Sequence, residues 1–373
     1  MSRASRARRI AAAAAYGGGG LGVLGAAGFG LLAAEAKLAR RWIGRPFQHD
    51  APQLEQLFGA GAGPALELVL LGDSSAVGLG ADQPDQTSGA VIAAGLAAIT
   101  GRPVRLTTVA LVGAESAALD GQIDRAFQVC PTPDAAVIMV GANDVTHRVK
   151  PAVAVRALGA AVRRLRETDC QVVVGTCPDL GTIEPLAQPL RLLARRMSRQ
   201  LATAQTIAVV EAGGRTVSLG DLLGPEFAAS PREMFSSDRF HPSTAGYARS
   251  AAVLLPSVVS ALDLWPQAQL DWPSAGRVDV DDVAHAAARA SRTAGTEVVG
   301  TEVDGAALGP RGRWAVASLR RGAAVVASTA ASTMSSTVAS TVASTARWII
   351  PGGVTPGTEQ PAAPGRPDGK LAP

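Results

Sequence analysis

Uninterrupted apolar runs alternate with longer segments of mixed polarity through the middle of the chain. A run that is apolar at consecutive positions is typical of a strand buried on both faces of a parallel sheet. The pattern predicts strands at residues 66–71, 104–110, 134–140, 171–176 and 207–210. The intervening segments predict helices at 88–100, after Gly113, and at 151–167, 186–204 and 244–262.

Strands that alternate with helices form right-handed βαβ units, whose helices cover both faces of the sheet. The predicted fold class is therefore α/β, a three-layer α/β/α domain with a central parallel sheet at residues 65–265. Residues 46–64 are predicted to be a connector. Residues 266–373 contain repeated Ser-Thr-Val-Ala and a Pro/Gly-rich end. Such low-complexity sequence predicts a largely disordered extension, with a wall-associating or partner-binding segment as the alternative.

Residues 1–45 form a basic segment around a long uncharged stretch. Residues 10–34 carry no charged side chain and are numerous enough to span a bilayer. Eight glycines in this stretch lower its hydrophobicity and its helix propensity. Three interpretations are open: an uncleaved signal-anchor, a cleavable signal peptide and a flexible Ala/Gly tail. We expect the signal-anchor, and hence an exported, membrane-anchored or cell-envelope protein.

The basic charge of the chain is concentrated in that same segment. The chain has a net charge of +4, but residues 1–45 hold eight basic residues and one acidic residue, so the remainder carries −3. Nucleic-acid binding would instead favour a basic patch interleaved with aromatic side chains. We therefore predict a membrane partner for the N-terminal segment and no nucleic-acid partner.

Three polar motifs follow the apolar runs or lie near the end of the predicted domain. They are Gly-Asp-Ser at 72–74, Gly-Ala-Asn-Asp at 141–144 and Asp-Arg-Phe-His-Pro at 238–242. In open α/β sheets, ligands bind at the carboxyl ends of the strands. We expect the first two motifs to lie at that edge, where a serine could act as a nucleophile.

Together with a looser glycine block at 109–114, these motifs resemble those of the SGNH (GDSL-type) hydrolases. The likeness covers residues 65–265, with all four motifs in family order, and is strongest to exported or membrane-anchored esterases of high-GC Gram-positive bacteria. It implies a flavodoxin-like sheet and a serine esterase that needs no cofactor. It further assigns Ser74 as nucleophile, with Asp238 and His241 completing a catalytic triad.

The resemblance also implies an oxyanion hole. Its donors would be the backbone N–H groups of Ser74 and Gly113 and the side-chain amide of Asn143. Glycine suits position 113 because the backbone must approach the reacting carbonyl closely. Ser75 is a rival nucleophile, but the register of the motif favours Ser74.

The residue types fit that chemistry independently of the resemblance. A serine hydroxyl is a weak nucleophile and needs a positioned base, for which His241 is the best candidate among four histidines. Asp238 lies three residues earlier and could orient the imidazole from within one turn. A surface turn or a helix cap is the alternative explanation of the Asp-x-x-His spacing, but Thr244 could cap the following helix and leave the pair available for another role.

Metal and cofactor chemistry is not predicted, because the chain contains neither a His-x-x-x-His nor a Cys-x-x-Cys pair. The three cysteines are an odd number. Cys130 and Cys170 precede neighbouring predicted strands, so we expect them to form a disulfide if the domain is exported. Three buried thiols are the alternative.

The leading hypothesis is hydrolysis of carboxylic esters, either lipid acyl esters or acylated glycans, through an acyl-enzyme. A transacylase or a glycan O-deacetylase of the cell envelope would use the same motifs. A non-catalytic binding protein on the same fold is the alternative from a different class. Labelling by a serine-directed fluorophosphonate separates that last alternative from the enzymes.

Overall fold

The computed structural model describes residues 30–39, 41, 55–220 and 225–264, with short segments at 280–282, 287–288, 297–303, 306–308 and 314–317. The helices are residues 30–39 (α1), Ser74–Val77 (α2), Ser88–Thr100 (α3), Leu119–Val129 (α4), Ala142–Thr146 (α5), Pro151–Arg166 (α6), Leu190–Glu211 (α7), Pro225–Ala229 (α8), Pro231–Met234 (α9) and Thr244–Ala261 (α10). The strands are Glu55–Phe58 (β1), Leu66–Gly72 (β2), Val104–Thr108 (β3), Ala135–Met139 (β4), Gln171–Gly175 (β5), Arg215–Val217 (β6), Val280–Asp282 (β7), Glu297–Val303 (β8), Ala306–Leu308 (β9) and Trp314–Ala317 (β10).

A parallel sheet in the order β3-β2-β4-β5-β6 forms the centre of the domain. Helices cover both of its faces. Leu68 and Leu70 of β2 pack in one core with residues of α3 and α10. Val69 and Leu71 pack in a second core with residues of α4, α6 and α7. Because successive strand residues point to opposite faces, a continuous apolar run serves both cores. This arrangement confirms the predicted three-layer α/β/α fold.

The fifth predicted strand, at 207–210, is wrong. These residues are the last turns of α7. The β-branched run around Val209 and Val210 favours a strand locally. In the structure Val209 is fully buried within the α4–α6–α7 core, and the Thr206 hydroxyl donates to the carbonyl oxygen of Ala202 over 2.9 Å, as in a continuous helix. The strand that completes the parallel sheet is β6, after a turn at residues 212–214.

The chain leaves β2 for β3 on one side and reaches β4 on the other. This reversal is a topological switch point, where open α/β sheets form a crevice outside the carboxyl ends of the strands. Ser74 follows β2 directly and α5 begins three residues after β4. The sheet order therefore brings the first two polar motifs to the same crevice.

Antiparallel strands extend the sheet beyond its parallel centre. β1 pairs with β3, and β8 pairs with β6 in the register Thr216↔Val298. β10 lies between β8 and β7, and β9 pairs with β8. Strands β7 to β10 lie within residues 266–373, the segment predicted to be largely disordered. Apart from residues 287–288, the remainder of that segment lies outside the described residues.

Helix α1 lies against the start of α7. The Glu35 carboxylate accepts a hydrogen bond from the N–H of Leu190 over 3.0 Å, and Ala39 is buried. Residues 10–29, most of the predicted signal-anchor, lie outside the described residues. Among the helices that the structure describes, none is long and apolar enough to cross a membrane.

Candidate active site

The turn after β2 holds Ser74 at the carboxyl edge of the sheet. Gly72 has a φ of +135°, and a Cβ at this position would lie 1.9 Å from the carbonyl oxygen of Met139, so only glycine fits. The Asp73 carboxylate accepts a hydrogen bond from the N–H of Ser75 over 2.9 Å and caps α2. The nucleophile candidate is thereby fixed at the first residue of this short helix.

Ser74, His241 and Asp238 form a continuous hydrogen-bonded chain. The Oγ of Ser74 lies 3.0 Å from Nε2 of His241, and Nδ1 of His241 lies 2.5 Å from Oδ2 of Asp238. The Asp238 side chain is 1% exposed and the His241 side chain 14% exposed. The three residues are thus in hydrogen-bonding order, nucleophile to base to carboxylate, at the border between the interior and solvent.

A tight loop between α9 and α10 brings the Asp-x-x-His spacing into this geometry. Phe235 and Pro242 form a β-bridge, and the N–H of Ser236 donates to the carbonyl oxygen of His241 over 2.9 Å. The loop folds around Asp238, so that residues three apart face each other. Helix α10 begins immediately afterwards, and neither Asp238 nor His241 caps it.

Asp238 is held as an anion. Its Oδ1 accepts hydrogen bonds from the hydroxyl of Ser236 at 2.8 Å and from the N–H groups of Phe240 and His241 at 2.9 Å each. Burial alone would raise the pKa of Asp238, but the hydrogen bond and charge of His241, with these backbone donors, lower its pKa below the ordinary value. An ionised Asp238 keeps the proton of His241 on Nδ1, so that Nε2 faces the serine hydroxyl as an acceptor.

Asn143 and Gly113 lie together beside the triad. The Asn143 amide donates one hydrogen bond to the carbonyl oxygen of Ala114 over 3.1 Å, which ties α5 to the glycine loop. Gly113 has a φ of +80°, a left-handed conformation that favours glycine. Asn143 lines one crevice with Ser74 and His241 and an adjoining cavity with Gly113. All five residues singled out in the sequence therefore converge at this edge of the sheet.

Asp144 holds the loop that carries Gly113 in place. Its carboxylate accepts hydrogen bonds from the N–H of Ser116 at 3.1 Å and from the Ser116 hydroxyl at 2.9 Å, and both residues are buried. The two contacts join α5 to the segment that carries Gly113. The sequence motif contains Asp144 but gives no indication that its partner is 28 residues earlier.

Two buried glutamines secure the strand ends, and sequence reasoning missed both. The Gln122 side chain accepts a hydrogen bond from the N–H of Gly72 and donates one to its carbonyl oxygen, each over 2.8 Å. The Gln205 side chain accepts from the N–H of Cys177 at 2.7 Å and donates to the carbonyl oxygen of Val140 at 3.0 Å. Both side chains are fully buried. Each side chain thereby provides hydrogen-bond partners for backbone groups at or just beyond the carboxyl ends of the strands.

Asp73 carries an unusual buried charge beside the triad. Burial raises the pKa of Asp73 from 3.8 to about 6, and the hydrogen bond from Ser75 and the charge of His241 offset only part of this effect. The carboxylate is 2% exposed. Its ionised form would favour the positive charge that His241 acquires when it accepts a proton.

The cysteines play no part in this constellation. Cys130, Cys170 and Cys177 are free, buried thiols, and the disulfide expected between Cys130 and Cys170 is not formed. Burial raises the pKa of Cys130 to about 11 and that of Cys170 to about 12, so both are held as unreactive thiols. Across the described part of the chain, no three His, Cys, Asp or Glu side chains cluster as metal ligands would.

Comparison with known proteins agrees with this geometry. The model of the GDSL-like lipase/acylhydrolase family matches residues 70–249. The GDSL-like esterase Rv1075c of Mycobacterium tuberculosis is 44% identical over 264 residues, which cover 68% of this chain and 83% of the relative. The chain therefore belongs to the GDSL-like lipase/acylhydrolase family. This confirms the predicted family and the enzyme class, a serine hydrolase acting on esters.

Two solved structures match about half of the chain. The lipase Lip_vut3 from a goat rumen metagenome matches with 15% identity and a TM-score of 0.43, over 54% of this chain and 99% of that one. The acetylxylan esterase Axe2 of Geobacillus stearothermophilus matches with 18% identity and a TM-score of 0.40, over 54% of this chain and 98% of that one.

Proposed function

We propose that the protein is a serine esterase that cleaves carboxylic esters through an acyl-enzyme on Ser74. The observation that carries the proposal is the hydrogen-bonded series from Ser74 Oγ to His241 Nε2, at 3.0 Å, and from His241 Nδ1 to the buried Asp238. A serine hydroxyl becomes a useful nucleophile only when such a base can take its proton. Here base and orienting carboxylate are both within hydrogen-bonding distance before any substrate binds.

In the first half of the reaction, Ser74 Oγ attacks the ester carbonyl carbon while His241 Nε2 accepts the hydroxyl proton. The tetrahedral intermediate then collapses, and His241 returns this proton to the departing alcohol. Asp238 stabilises the intervening imidazolium and holds its orientation. In the second half, His241 takes a proton from water and the resulting hydroxide attacks the acyl-enzyme. The second tetrahedral intermediate collapses, His241 returns the proton to Ser74 Oγ as the leaving group, and the carboxylic acid is released.

The oxyanion of each tetrahedral intermediate would be bound by the N–H groups of Ser74 and Gly113 and the amide of Asn143. Support comes from the shared crevice of Ser74 and Asn143 and from the Asn143–Ala114 hydrogen bond, which holds the glycine loop beside the amide. Fixed donors of this kind each contribute about 3–4 kcal/mol to transition-state stabilisation.

We also propose that the N-terminal segment keeps the enzyme at a membrane of the cell envelope. The support is the uncharged stretch at residues 10–34, flanked by basic residues on both sides; its part before α1, residues 10–29, is by itself long enough to span a bilayer. The natural substrates of the enzyme would then be esters of that compartment, either lipid acyl esters or acylated glycans. Fractionation of cells that express the full chain tests this point: the protein should sediment with membranes, and recovery in the soluble fraction would contradict the anchor.

Hydrolysis of p-nitrophenyl acetate by three proteins tests the catalytic proposal. The wild type should turn over the ester, and Ser74→Ala should lose at least about a thousandfold in kcat. Ser75→Ala is the matched control, because it removes a neighbouring hydroxyl outside the triad and should keep most of the activity. Equal activity in Ser74→Ala and the wild type would contradict the proposal.

A further inference from the structure

A large apolar cavity adjoins the catalytic crevice. It has a volume of about 1180 Å³ and lies between α1, α5 and α7. We call it the α1–α7 groove. Its apolar lining includes Leu32, Ile183, Leu186, Leu190, Leu193 and Met197. Ligand sites for drug-sized molecules measure about 300–1,000 Å³, so an acetyl group would leave nearly all of this space unused.

The groove starts at the reacting carbonyl. Asn143 and Gly113, the proposed oxyanion donors, are themselves part of its lining. The crevice that contains Ser74 and His241 also shares Leu180 and Phe240 with it. An ester whose carbonyl oxygen lies at Asn143 can therefore extend its acyl chain from the nucleophile into the groove.

The chemistry of the lining favours a hydrocarbon over a sugar. Its buried members, such as Leu180, Ile183 and Ala39, are apolar. Apart from Asn143, its polar members are exposed, among them His147 and Arg148. A glycan has hydroxyl groups that need hydrogen-bond partners when buried, and among the lining residues that the structure describes, the buried side chains are apolar and offer none. A methylene chain has no hydrogen bonds to lose on entering the groove, and its transfer out of water is favourable.

One wall comes from α1, which lies outside the 70–249 region matched by the family model. Leu32, Ala36 and Ala39 line the groove at a helical spacing of four and three residues. The Glu35 carboxylate, on the same helix, accepts the N–H of Leu190 at 3.0 Å and holds α1 against the start of α7. The N-terminal segment, which we expected to be a signal-anchor with a signal peptide and a flexible tail as alternatives, thus contributes side chains to the groove.

We infer that the α1–α7 groove binds the acyl chain, and that α1 makes the enzyme select esters of medium- and long-chain fatty acids. The inference rests on the serine esterase mechanism proposed above and chooses lipid esters over acetylated glycans as its substrates. Each additional methylene that enters the groove should raise kcat/KM about threefold to fourfold, until the chain fills the space.

The test measures kcat/KM of the full-length protein for p-nitrophenyl esters from acetate to dodecanoate. The readout is the ratio of the decanoate value to the acetate value. In the wild type this ratio should exceed a hundred. Two substitutions place an indole in the groove from opposite walls, Ala36→Trp on α1 and Ala194→Trp on α7. Each should lower the ratio at least tenfold. Ala34→Trp, on the exposed side of α1 away from the groove lining, should retain it.

The use of both walls distinguishes a blocked groove from a local defect in α1, because Ala194→Trp leaves the sequence of α1 unchanged. A wild-type preference for acetate, or a decanoate ratio that neither groove substitution changes, would overturn the inference while leaving the esterase mechanism standing. A wild type that hydrolyses none of the esters would instead refute the mechanism on which it rests.

Discussion

Replacing Gln122 with methionine removes two hydrogen bonds from the backbone next to the nucleophile while nearly preserving side-chain volume. Gln122 is fully buried, and its amide contacts both the N–H and the carbonyl oxygen of Gly72 at 2.8 Å. The carbonyl oxygen of Gly72 keeps a second hydrogen bond, from the N–H of Leu111 at 3.1 Å, so a methionine leaves only the N–H of Gly72 without this partner in the interior. A buried group that loses its partner costs about 1–3 kcal/mol. Burying a thioether in place of an amide offsets part of that cost, and we expect a net loss of about 1–2 kcal/mol in unfolding free energy.

Catalysis should suffer as well, because Gly72 is two residues before Ser74. A shift of the serine of about 1 Å relative to His241 lowers the rate by about a hundredfold. We expect kcat for p-nitrophenyl acetate to fall at least tenfold with a smaller change in KM. A surface polar residue would affect neither quantity.

Urea unfolding followed by circular dichroism measures the stability change, at an unchanged dependence on denaturant. Gln128→Met is the matched control, since Gln128 is an exposed glutamine on the same helix, α4. The control should stay within about 0.5 kcal/mol of the wild type. If Gln122→Met is equally stable and active, the amide does not secure the nucleophile turn and this reasoning fails.

Substitutions at three further positions test the surroundings of the triad. The pKa of Asp73 is about 6 in the folded protein and 3.8 ordinarily, so the folded state holds this proton more tightly. The wild type should therefore lose up to about 3 kcal/mol of stability as the pH rises from 4 to 7. Asp73→Asn should lack this loss in pH-dependent urea titrations. Asp144→Ala should lower kcat at least tenfold by releasing the glycine loop. Asp144→Asn keeps an acceptor for Ser116 and should recover part of the lost kcat. Equal kcat in both variants would argue against this positioning role. Gly72→Ala should yield little folded protein, because its Cβ would lie 1.9 Å from a backbone oxygen, and wild-type thermal stability would contradict that contact.

Sequence patterns predicted those features whose causes are local. The apolar run at 66–71 has to be a strand buried on both faces, and a Gly-Asp-Ser turn after it has to lie at the carboxyl edge of the sheet. The motif at 238–242 likewise specifies a tight loop, since its carboxylate and imidazole are only three residues apart. The fold class and the candidate triad residues could therefore be read before the structure.

What could not be predicted depends on contacts between distant parts of the chain. Gln122 and Gln205 look like ordinary polar positions of amphipathic helices, and only the fold shows which backbone groups they reach. The strand predicted at 207–210 was wrong because local β propensity was outweighed by packing along α7. Helix α1 joins the domain through Glu35 and Leu190, a pairing over 155 residues for which the sequence has no local signal.

The central claim, that Ser74 is the nucleophile of an acyl-enzyme, is tested most directly by mapping a covalent adduct. The full chain would be treated with a serine-directed fluorophosphonate and digested, and the modified residue identified by mass spectrometry. We predict a single adduct on Ser74 that forms in Ser75→Ala and is lost in Ser74→Ala and strongly slowed in His241→Ala. An adduct on Ser75, or labelling that persists in Ser74→Ala, would contradict the account.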